Sequence, residues 1–270
     1  PRSTLFPYTT LFRSSADFAI SRFATDACNN DSIGKIYLKR AQSWKNLYNP
    51  ETGWLQSRRK EGFIPLKYDF RESTYNNYFW MVPYNIQGLI KIIGGASEGE
   101  SRLDVLFRRL DAGYDDDWYA SGNEPSFGIP WAYNWVGKPY KTQQVVRRIL
   151  TEQYSGKPDG LPGNDDLGSM GSWYVFASIG LYPEIPGVGG FAVNTPIFNS
   201  VKIHLNKGIL SINGGSEKDA FIKSMKLNGK PYNKTWIDWS KISQGGTIDY
   251  SVSHTPELKW GTTYSPPSFE

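Results

Sequence analysis

Carboxylate and amide side chains alternate with glycines and prolines in the middle of this 270-residue chain. Asn123-Glu124 begins the stretch, and Asn164-Asp165-Asp166 follows a glycine further along it. Another carboxylate, Glu72, precedes a segment rich in aromatic residues. Carboxylates on tight turns can donate protons, activate water or bind a cation, and aromatic ring faces bind the C–H faces of sugars. These residue types predict carbohydrate chemistry.

Glu72 and the Asp165-Asp166 pair could divide the work of hydrolysing a glycosidic bond. Burial of Glu72 against its aromatic neighbours would favour the protonated form that a general acid requires. One ionised aspartate of the pair could activate water on the opposite face of the sugar. The alternative for the pair is helix capping, because aspartate at a helix start is common without any catalytic role.

Asn123 and Glu124 offer two oxygen ligands at the start of a predicted helix, which suits calcium. Capping by Asn123 is the alternative. The chain has one cysteine, Cys28, and only two histidines, His204 and His254. A zinc site built from these residues or a Ser-His-Asp triad is therefore not expected, and any metal should be oxygen-ligated calcium or magnesium.

Aromatic residues make up 15% of the chain, including 10 Trp and 17 Tyr. Such residues can build a core or bind sugars, so Trp173 is a candidate for substrate binding with core packing as the alternative. The net charge of +4 is small and the basic residues are scattered, so nucleic-acid binding is not expected. No apolar run approaches the length of a membrane span.

Helical spacing of apolar residues extends to about residue 180, and strand-like alternation follows it. The predicted helices run from Ala16 onward and over 36–48, 77–93, 101–110, 126–136, 141–154 and 168–180, and the predicted strands cover 200–205, 208–212, 220–227 and 247–252. The fold class is therefore predicted as α+β. Helical hairpins over 15–185 would form a partial (α/α)6 barrel, and 186–270 would form a small C-terminal β-sheet segment.

Residues 1–14 resemble the translated read-through of a sequencing adapter and lack the layout of a signal peptide. We predict that they are an artefactual or disordered leader and exclude them from the fold prediction. The natural protein would then begin upstream of Ser15, and the start of this chain would carry no information about export.

Four motifs in the central stretch, taken in this order, resemble the signature of glycoside hydrolase family 92. They are Gly122-Asn123-Glu124-Pro125-Ser126, Gly137-Lys138-Pro139-Tyr140-Lys141-Thr142-Gln143, Asp159-Gly160-Leu161-Pro162-Gly163-Asn164-Asp165-Asp166-Leu167-Gly168 and Trp173-Tyr174-Val175-Phe176. Leu227-Asn228-Gly229-Lys230-Pro231-Tyr232 and Trp260-Gly261 are similar to the C-terminal β segment of that family. The resemblance covers essentially all of the chain from Ser15 to Glu270.

The resemblance implies roles for individual residues. Glu72 matches the general acid of the family, and Asp166 matches its general base. Asn164 and Asp165 stand beside that base as helpers. Asn123 and Glu124 fall where the family builds its site for calcium and mannose.

The resemblance also implies an activity and a context for the chain. It implies a calcium-dependent, inverting, exo-acting α-mannosidase whose substrates are mannose-containing glycans of the N-glycan type. The chain would be the C-terminal part of a longer exported bacterial protein, without its N-terminal β-sandwich and first half-barrel. Such a fragment could be inactive alone.

Departures from the family pattern bear on linkage specificity. Phe127-Gly128 stands where the family often has a pair of histidines, and Pro83-Tyr84-Asn85 replaces Pro-His-Asp. Glu72 itself is retained, although the glycine and glutamine of its usual motif differ. The residues that match the acid and base are therefore unchanged, while the type of mannosidic linkage that would be hydrolysed is not predicted.

Two other functions stay open beside this one. The first is an (α/α)6 glycosidase of another specificity that uses the same two carboxylates without calcium. The second is a non-catalytic glycan-binding protein, which would tolerate Glu72→Gln without a change in sugar binding. A mannosidase assay with and without a chelator separates the first from the calcium-dependent enzyme.

Overall fold

The computed structural model describes residues 4–270, so the first three residues of the predicted leader lie outside the described chain. Its helices are α1 (Pro7–Asp26), α2 (Asp31–Ala41), α3 (Tyr75–Tyr78), α4 (Ile86–Ile92), α5 (Ala96–Leu106), α6 (Pro139–Glu152) and α7 (Ser169–Ile179). Its strands are β1 (Thr4–Leu5), β2 (Tyr48–Asn49), β3 (Trp54–Leu55), β4 (Arg58–Arg59), β5 (Gly62–Phe63), β6 (Leu181–Tyr182), β7 (Gly190–Val193), β8 (Ser200–Leu205), β9 (Gly208–Asn213), β10 (Phe221–Leu227), β11 (Lys230–Pro231), β12 (Trp236–Asp238) and β13 (Gly246–Ser253). Within residues 4–270, none of the helices combines the length and apolar character needed to cross a bilayer.

The described chain forms two compact units. The first unit runs up to Ile129 and also contains Ile185–Val188 and Ser268–Glu270. The second unit contains Pro130–Glu184 and Gly189–Pro267, and so combines α6 and α7 with the strands from β6 onward. These units divide the chain differently from the predicted segments 15–185 and 186–270, whose status as domains stays a prediction.

Helix α1 begins at Pro7 and not at Ala16, so the sequence prediction placed its start too late. Leu11 and Phe18 are both fully buried in the first unit, and their seven-residue separation places them on one helical face. A proline at the first helical position also favours a start there, because its missing N–H would have no partner in the helix. The origin of residues 1–14 as adapter sequence stays a prediction.

The single helix predicted over 77–93 is wrong, because the structure breaks it into α3, a 3-10 turn at Pro83–Asn85 and α4. Pro83 has no N–H to donate, and its ring disfavours helical backbone at the preceding residue. Val82 accordingly has φ −130° and ψ 59°. The interruption separates α3, which lies beside the candidate acid, from the buried helix α4.

The helix predicted over 126–136 is also wrong. The segment contains two 3-10 turns, Glu124–Ser126 and Ile129–Asn134. Gly128 disfavours a continuous helix because of its conformational freedom, and Pro130 removes a donor directly after it. The α-helical spacing of the aromatic residues here therefore reflects burial and not a continuous α-helix.

The later elements follow their predicted spans closely. Helix α7 matches the predicted helix 168–180 to within one residue at each end, and it ends at Gly180 with φ 83°. Strands β8, β9, β10 and β13 lie where period-two alternation predicts them. Their sheet has the order β11-β10-β13-β9-β8, and β9 pairs with β13 in parallel. Its apolar residues form one buried cluster that includes Ile212, Ile222 and Ile248.

Glu184 is an unusual member of the second unit because only 5% of its surface is exposed. Its Oε2 atom has no hydrogen-bond partner among the described residues. Burial away from water raises the pKa of the Glu184 carboxyl well above its usual range. Burial also raises the pKa of Tyr182, and the nearby Glu184 charge adds to that shift. Burial therefore favours the neutral form of the Glu184 carboxyl.

We expect Glu184→Gln to stabilise the protein increasingly as the pH rises above 4.5, the usual value for glutamate. Above that pH the unfolded chain releases the Glu184 proton while the folded protein keeps it, so the free energy of unfolding of the wild type falls. Urea denaturation from about pH 4 to 8 measures the free energy of unfolding of the variant and of the wild type. The difference between the two should be near zero at low pH and should grow by up to about 1.4 kcal/mol per pH unit.

The exposed Glu51 provides the matched control, because Glu51→Gln makes the same chemical change without burial. A stability difference between wild type and Glu184→Gln that stays constant across this pH range would contradict a neutral, buried carboxyl.

Candidate active site

Glu72 has φ 56°, a left-handed conformation that costs a residue with a Cβ roughly 1–3 kcal/mol. Its side chain is 50% exposed and lies 3.5 Å from the Arg71 Nε. The burial of Glu72 expected from its aromatic neighbours is therefore not observed. Phe70 and Tyr78 pack on each other at 5.5 Å between ring centroids. A cavity of about 420 Å3 in the first unit is lined by Lys67, Phe70, Arg71, Glu72, Ser73, Thr74, Tyr114 and Asp115.

Asn123 lies directly against the backbone of Glu72. Its Nδ2 donates to the Glu72 carbonyl oxygen at 2.6 Å, and its Oδ1 accepts the Glu124 N–H at 3.1 Å. Asn123 is buried, whereas the Glu124 side chain is exposed. The structure therefore brings together three of the predicted site residues within the first unit.

Tyr78 lies near Glu72 and Glu124, and the sequence alone predicted no role for it. Burial raises the pKa of the Tyr78 phenol, and the negative charges of Glu72 and Glu124 are among the smaller causes. Its hydroxyl donates to the Arg71 carbonyl oxygen at 2.7 Å. The sequence gives little warning of this contact, because any buried tyrosine near a loop has the same local pattern.

The Asp165-Asp166 loop lies in the second unit and contains a run of left-handed residues. Asp166 has φ 42°, Leu167 has 61° and Gly168 has 84°. Asp166 and Leu167 are both exposed, and neither is a glycine that adopts this conformation freely. Asn164 is exposed on the same loop. A strained, exposed loop of this kind is typical of functional sites.

Asp165 and Asp166 differ in their surroundings. The Asp165 Oδ1 accepts the Gly171 N–H at 2.9 Å, which satisfies one of the free donors in the first turn of α7. The Asp165 carbonyl also accepts the Ser169 hydroxyl at 2.8 Å. Asp165 thus caps the helix, the alternative that the sequence analysis left open, and its predicted part in catalysis stays a prediction. Asp166 is the more accessible carboxylate.

Trp173 is 2% exposed and belongs to an aromatic cluster of the second unit. Its ring stacks on Tyr154 at 5.6 Å and meets the Trp131 ring edge-on at 5.7 Å. Trp131 in turn stacks on Tyr182 at 4.0 Å. Trp173 therefore packs as a core residue, and its direct contact with substrate stays a prediction.

Calcium requires about six to eight oxygen ligands. Within residues 4–270, no group of three or more His, Cys, Asp or Glu side chains is arranged to hold a metal ion. Asn123 and Glu124 have the right donor chemistry, but one lone pair of the Asn123 Oδ1 already accepts a backbone N–H. These two side chains alone do not complete the coordination that calcium requires.

The comparison with protein families identifies the chain. Residues 9–254 match the model of the glycosyl hydrolase family 92 catalytic domain. The chain belongs to glycosyl hydrolase family 92. A curated family relative from Arthroderma benhamiae, described as an uncharacterized secreted glycosidase, is 30% identical over 271 residues, which cover 86% of this chain and 34% of the relative.

Solved structures of family 92 enzymes share the fold of this chain. The α-mannosidase BT3965 from Bacteroides thetaiotaomicron has a TM-score of 0.87 and 29% identity, over 96% of this chain and 36% of that one. The inverting mannosidase BT2199 from the same organism has a TM-score of 0.87 and 26% identity, over 97% of this chain and 39% of that one. The chain thus has the mixed helix-and-sheet fold of family 92 and spans little more than a third of these relatives.

We expect Asp165→Ala to lower the free energy of unfolding by about 1 kcal/mol, the usual cost of losing a helix cap. Asp165→Asn should cost less, because its amide oxygen can still accept the Gly171 N–H. Urea denaturation measures both variants.

Asp159→Ala is the matched control, because Asp159 is exposed at the start of the same loop. Equal stability of Asp165→Ala and Asp159→Ala would show that the Asp165 carboxylate does not cap α7.

Proposed function

We propose that the protein is an exo-acting α-mannosidase that hydrolyses terminal α-mannosidic bonds of glycans with inversion. Membership of family 92 and likeness to α-mannosidases, one of them inverting, support this activity. One observation supports the choice of residues. Glu72 and Asp166 are both exposed carboxylates on left-handed backbone, which is costly for residues other than glycine.

In the proposed reaction, Glu72 acts as the general acid and donates its proton to the glycosidic oxygen of the leaving group. Asp166 acts as the general base and removes a proton from the water that attacks the anomeric carbon. A single displacement of this kind inverts the anomeric configuration. Asp165 supports the base by fixing the loop to α7, as its hydrogen bond to Gly171 indicates.

We propose Glu124 and Asn123 as protein ligands at one edge of a calcium site. A calcium ion held there would coordinate sugar hydroxyl groups and so help to hold the substrate in place. Asn164 and Trp173 are proposed to support substrate binding. Asn164 would act from the exposed loop, and Trp173 through its ring packing in the second unit. The donor chemistry of Asn123 and Glu124 supports the metal proposal, and their number requires further ligands.

The wider context of the chain is also a proposal. Its helices would form part of an (α/α)6 barrel, and a β-sandwich and further helices would come from sequence outside these 270 residues. The share of the curated relative that this chain covers, 34%, supports that view. Mannose-containing glycans such as N-glycans are the proposed substrates, since BT3965 is known in complex with mannoimidazole. Export is proposed because the curated relative is described as secreted.

We expect Glu72→Gln and Asp166→Asn each to lower kcat/KM on an unactivated α-mannobiose by about 10^2- to 10^4-fold in the protein at its natural length. A 2,4-dinitrophenyl α-mannoside needs no proton on its leaving group, so Glu72→Gln should retain most activity on it. Asp166→Asn should lose activity on both substrates, because both reactions consume an activated water.

Glu61→Gln and Asp159→Asn are the matched controls, because both side chains are exposed and lie outside the proposed site. Full activity of Glu72→Gln on the mannobiose would exclude Glu72 as the acid. Retention of sugar binding with no hydrolysis by the wild type would favour the non-catalytic alternative.

We expect a calcium chelator to abolish hydrolysis of α-mannosides and added calcium to restore it. Glu124→Gln should raise the calcium concentration needed for half-maximal activity, because a neutral amide binds the cation more weakly than a carboxylate. Mannosidase assays across a calcium titration measure both effects. Undiminished activity in the chelator would favour the calcium-independent glycosidase.

A further inference from the structure

We propose that Tyr78 and Asn123 are positioning residues that together fix the backbone conformation of Glu72 and so place its carboxyl group for proton donation. The inference rests on the proposed role of Glu72 as general acid. It assigns Asn123 a function through its amide nitrogen, in contrast to the oxygen-ligand role considered above.

Two peptide planes meet at the Glu72 Cα. The plane before it contains the Arg71 carbonyl, and the plane after it contains the Glu72 carbonyl. Because peptide planes are rigid, φ and ψ of Glu72 alone set their relative orientation. Any contacts that fix both planes therefore also fix the direction of the Glu72 Cα–Cβ bond, from which the side chain extends.

Each of these two planes is held by a side-chain donor. The Tyr78 hydroxyl donates to the Arg71 carbonyl at 2.7 Å, and the Asn123 Nδ2 donates to the Glu72 carbonyl at 2.6 Å. Glu72 has φ 56°, a conformation that a glutamate leaves readily unless its surroundings prevent it. The two hydrogen bonds provide that restraint.

Both donors are themselves held in place. Tyr78 is 2% exposed, and its raised pKa keeps the phenol protonated as a donor. The Asn123 Oδ1 accepts the Glu124 N–H, which orients the amide so that its Nδ2 faces the Glu72 carbonyl. Neither donor needs to reorganise when the acid acts.

Asn77 joins the segments that carry these donors. Its Nδ2 donates to the Trp118 carbonyl at 2.8 Å, and its Oδ1 accepts both the Ala120 N–H at 3.2 Å and the Ser126 hydroxyl at 3.0 Å. These bonds connect α3, which ends at Tyr78, to the segment that contains Asn123. The two donors thus belong to one cross-linked framework within the first unit.

The decisive variant is Asn123→Asp. It removes the donor to the Glu72 carbonyl but keeps carboxylate oxygens that would bind calcium at least as well as an amide oxygen. Tyr78→Phe removes the other donor without changing the ring. We expect each variant, in the protein at its natural length, to lower kcat on the unactivated α-mannobiose by about 10- to 100-fold, because the acid is misplaced.

On the 2,4-dinitrophenyl α-mannoside the same variants should retain nearly full kcat, since that leaving group needs no proton. The calcium concentration for half-maximal activity should not rise in Asn123→Asp, because its carboxylate oxygens can still bind the cation. A merely structural role would lower activity on both substrates together. Restoration of the mannobiose activity of Asn123→Asp by excess calcium would indicate a defect in metal binding instead, and either result would overturn the proposal.

Matched controls are available in the same unit. Tyr84 donates its hydroxyl to the Ala41 carbonyl at 2.6 Å, so Tyr84→Phe makes the same change away from Glu72. Asn76 donates to the Asp117 carbonyl at 2.9 Å, so Asn76→Asp matches the asparagine variant. The ratio of activities on the two substrates should stay at the wild-type value in both controls.

A second measurement needs no activity. In the 270-residue chain, Tyr78→Phe and Asn123→Asp should speed hydrogen exchange of the backbone amides around residues 71–74, and Tyr84→Phe and Asn76→Asp should not. Unchanged exchange in the first pair would overturn the proposal. Glu72→Gln is the reference for the kinetic test. If its loss of activity is the same on both substrates, the proposed function fails. If Glu72→Gln loses activity mainly on the mannobiose but Tyr78→Phe and Asn123→Asp do not, only the positioning role is refuted.

Discussion

The candidate site depends on left-handed backbone at residues that carry a Cβ. Glu72 has φ 56° and Asp166 has φ 42°. Such conformations persist only where surrounding contacts hold them, because the Cβ crowds the following carbonyl. At Glu72 the contacts come from Tyr78 and Asn123, and at the aspartate loop they come from the first turn of α7 onto Asp165. In both places contacts outside the acidic residue itself fix the backbone that carries the carboxylate.

The aromatic residues serve this framework before they serve any ligand. Trp131, Trp173, Tyr154 and Tyr182 pack on one another in the second unit, where Trp131 stacks on Tyr182 and Tyr154 stacks on Trp173. In the first unit, Phe70 packs on Tyr78 beside Glu72. A high aromatic content is therefore weak evidence for sugar binding by itself, since rigid rings also provide the support on which an exposed carboxylate depends.

Sequence periodicity predicted those elements whose burial pattern is regular. Helix α7 and strands β8, β9, β10 and β13 lie within about a residue of their predicted ends because apolar residues repeat regularly along one face of each. The predictions failed at Pro83 and at Pro130, where a missing N–H interrupts an otherwise helical apolar pattern. Apolar spacing reports which residues are buried, and it reports helix continuity only where every backbone donor is present.

The site was less predictable than the fold, for a different reason. The residue types at Asp165 and Asp166 are identical, yet one carboxylate accepts the Gly171 N–H and the other is exposed. The contact between Asn123 and Glu72 spans 51 residues of sequence, and a local pattern does not encode it. Residue type alone therefore left both capping and catalysis open for this pair. The contacts show which of the two caps the helix: Asp165 accepts the Gly171 N–H, and Asp166 is the exposed neighbour on left-handed backbone that we propose as the base.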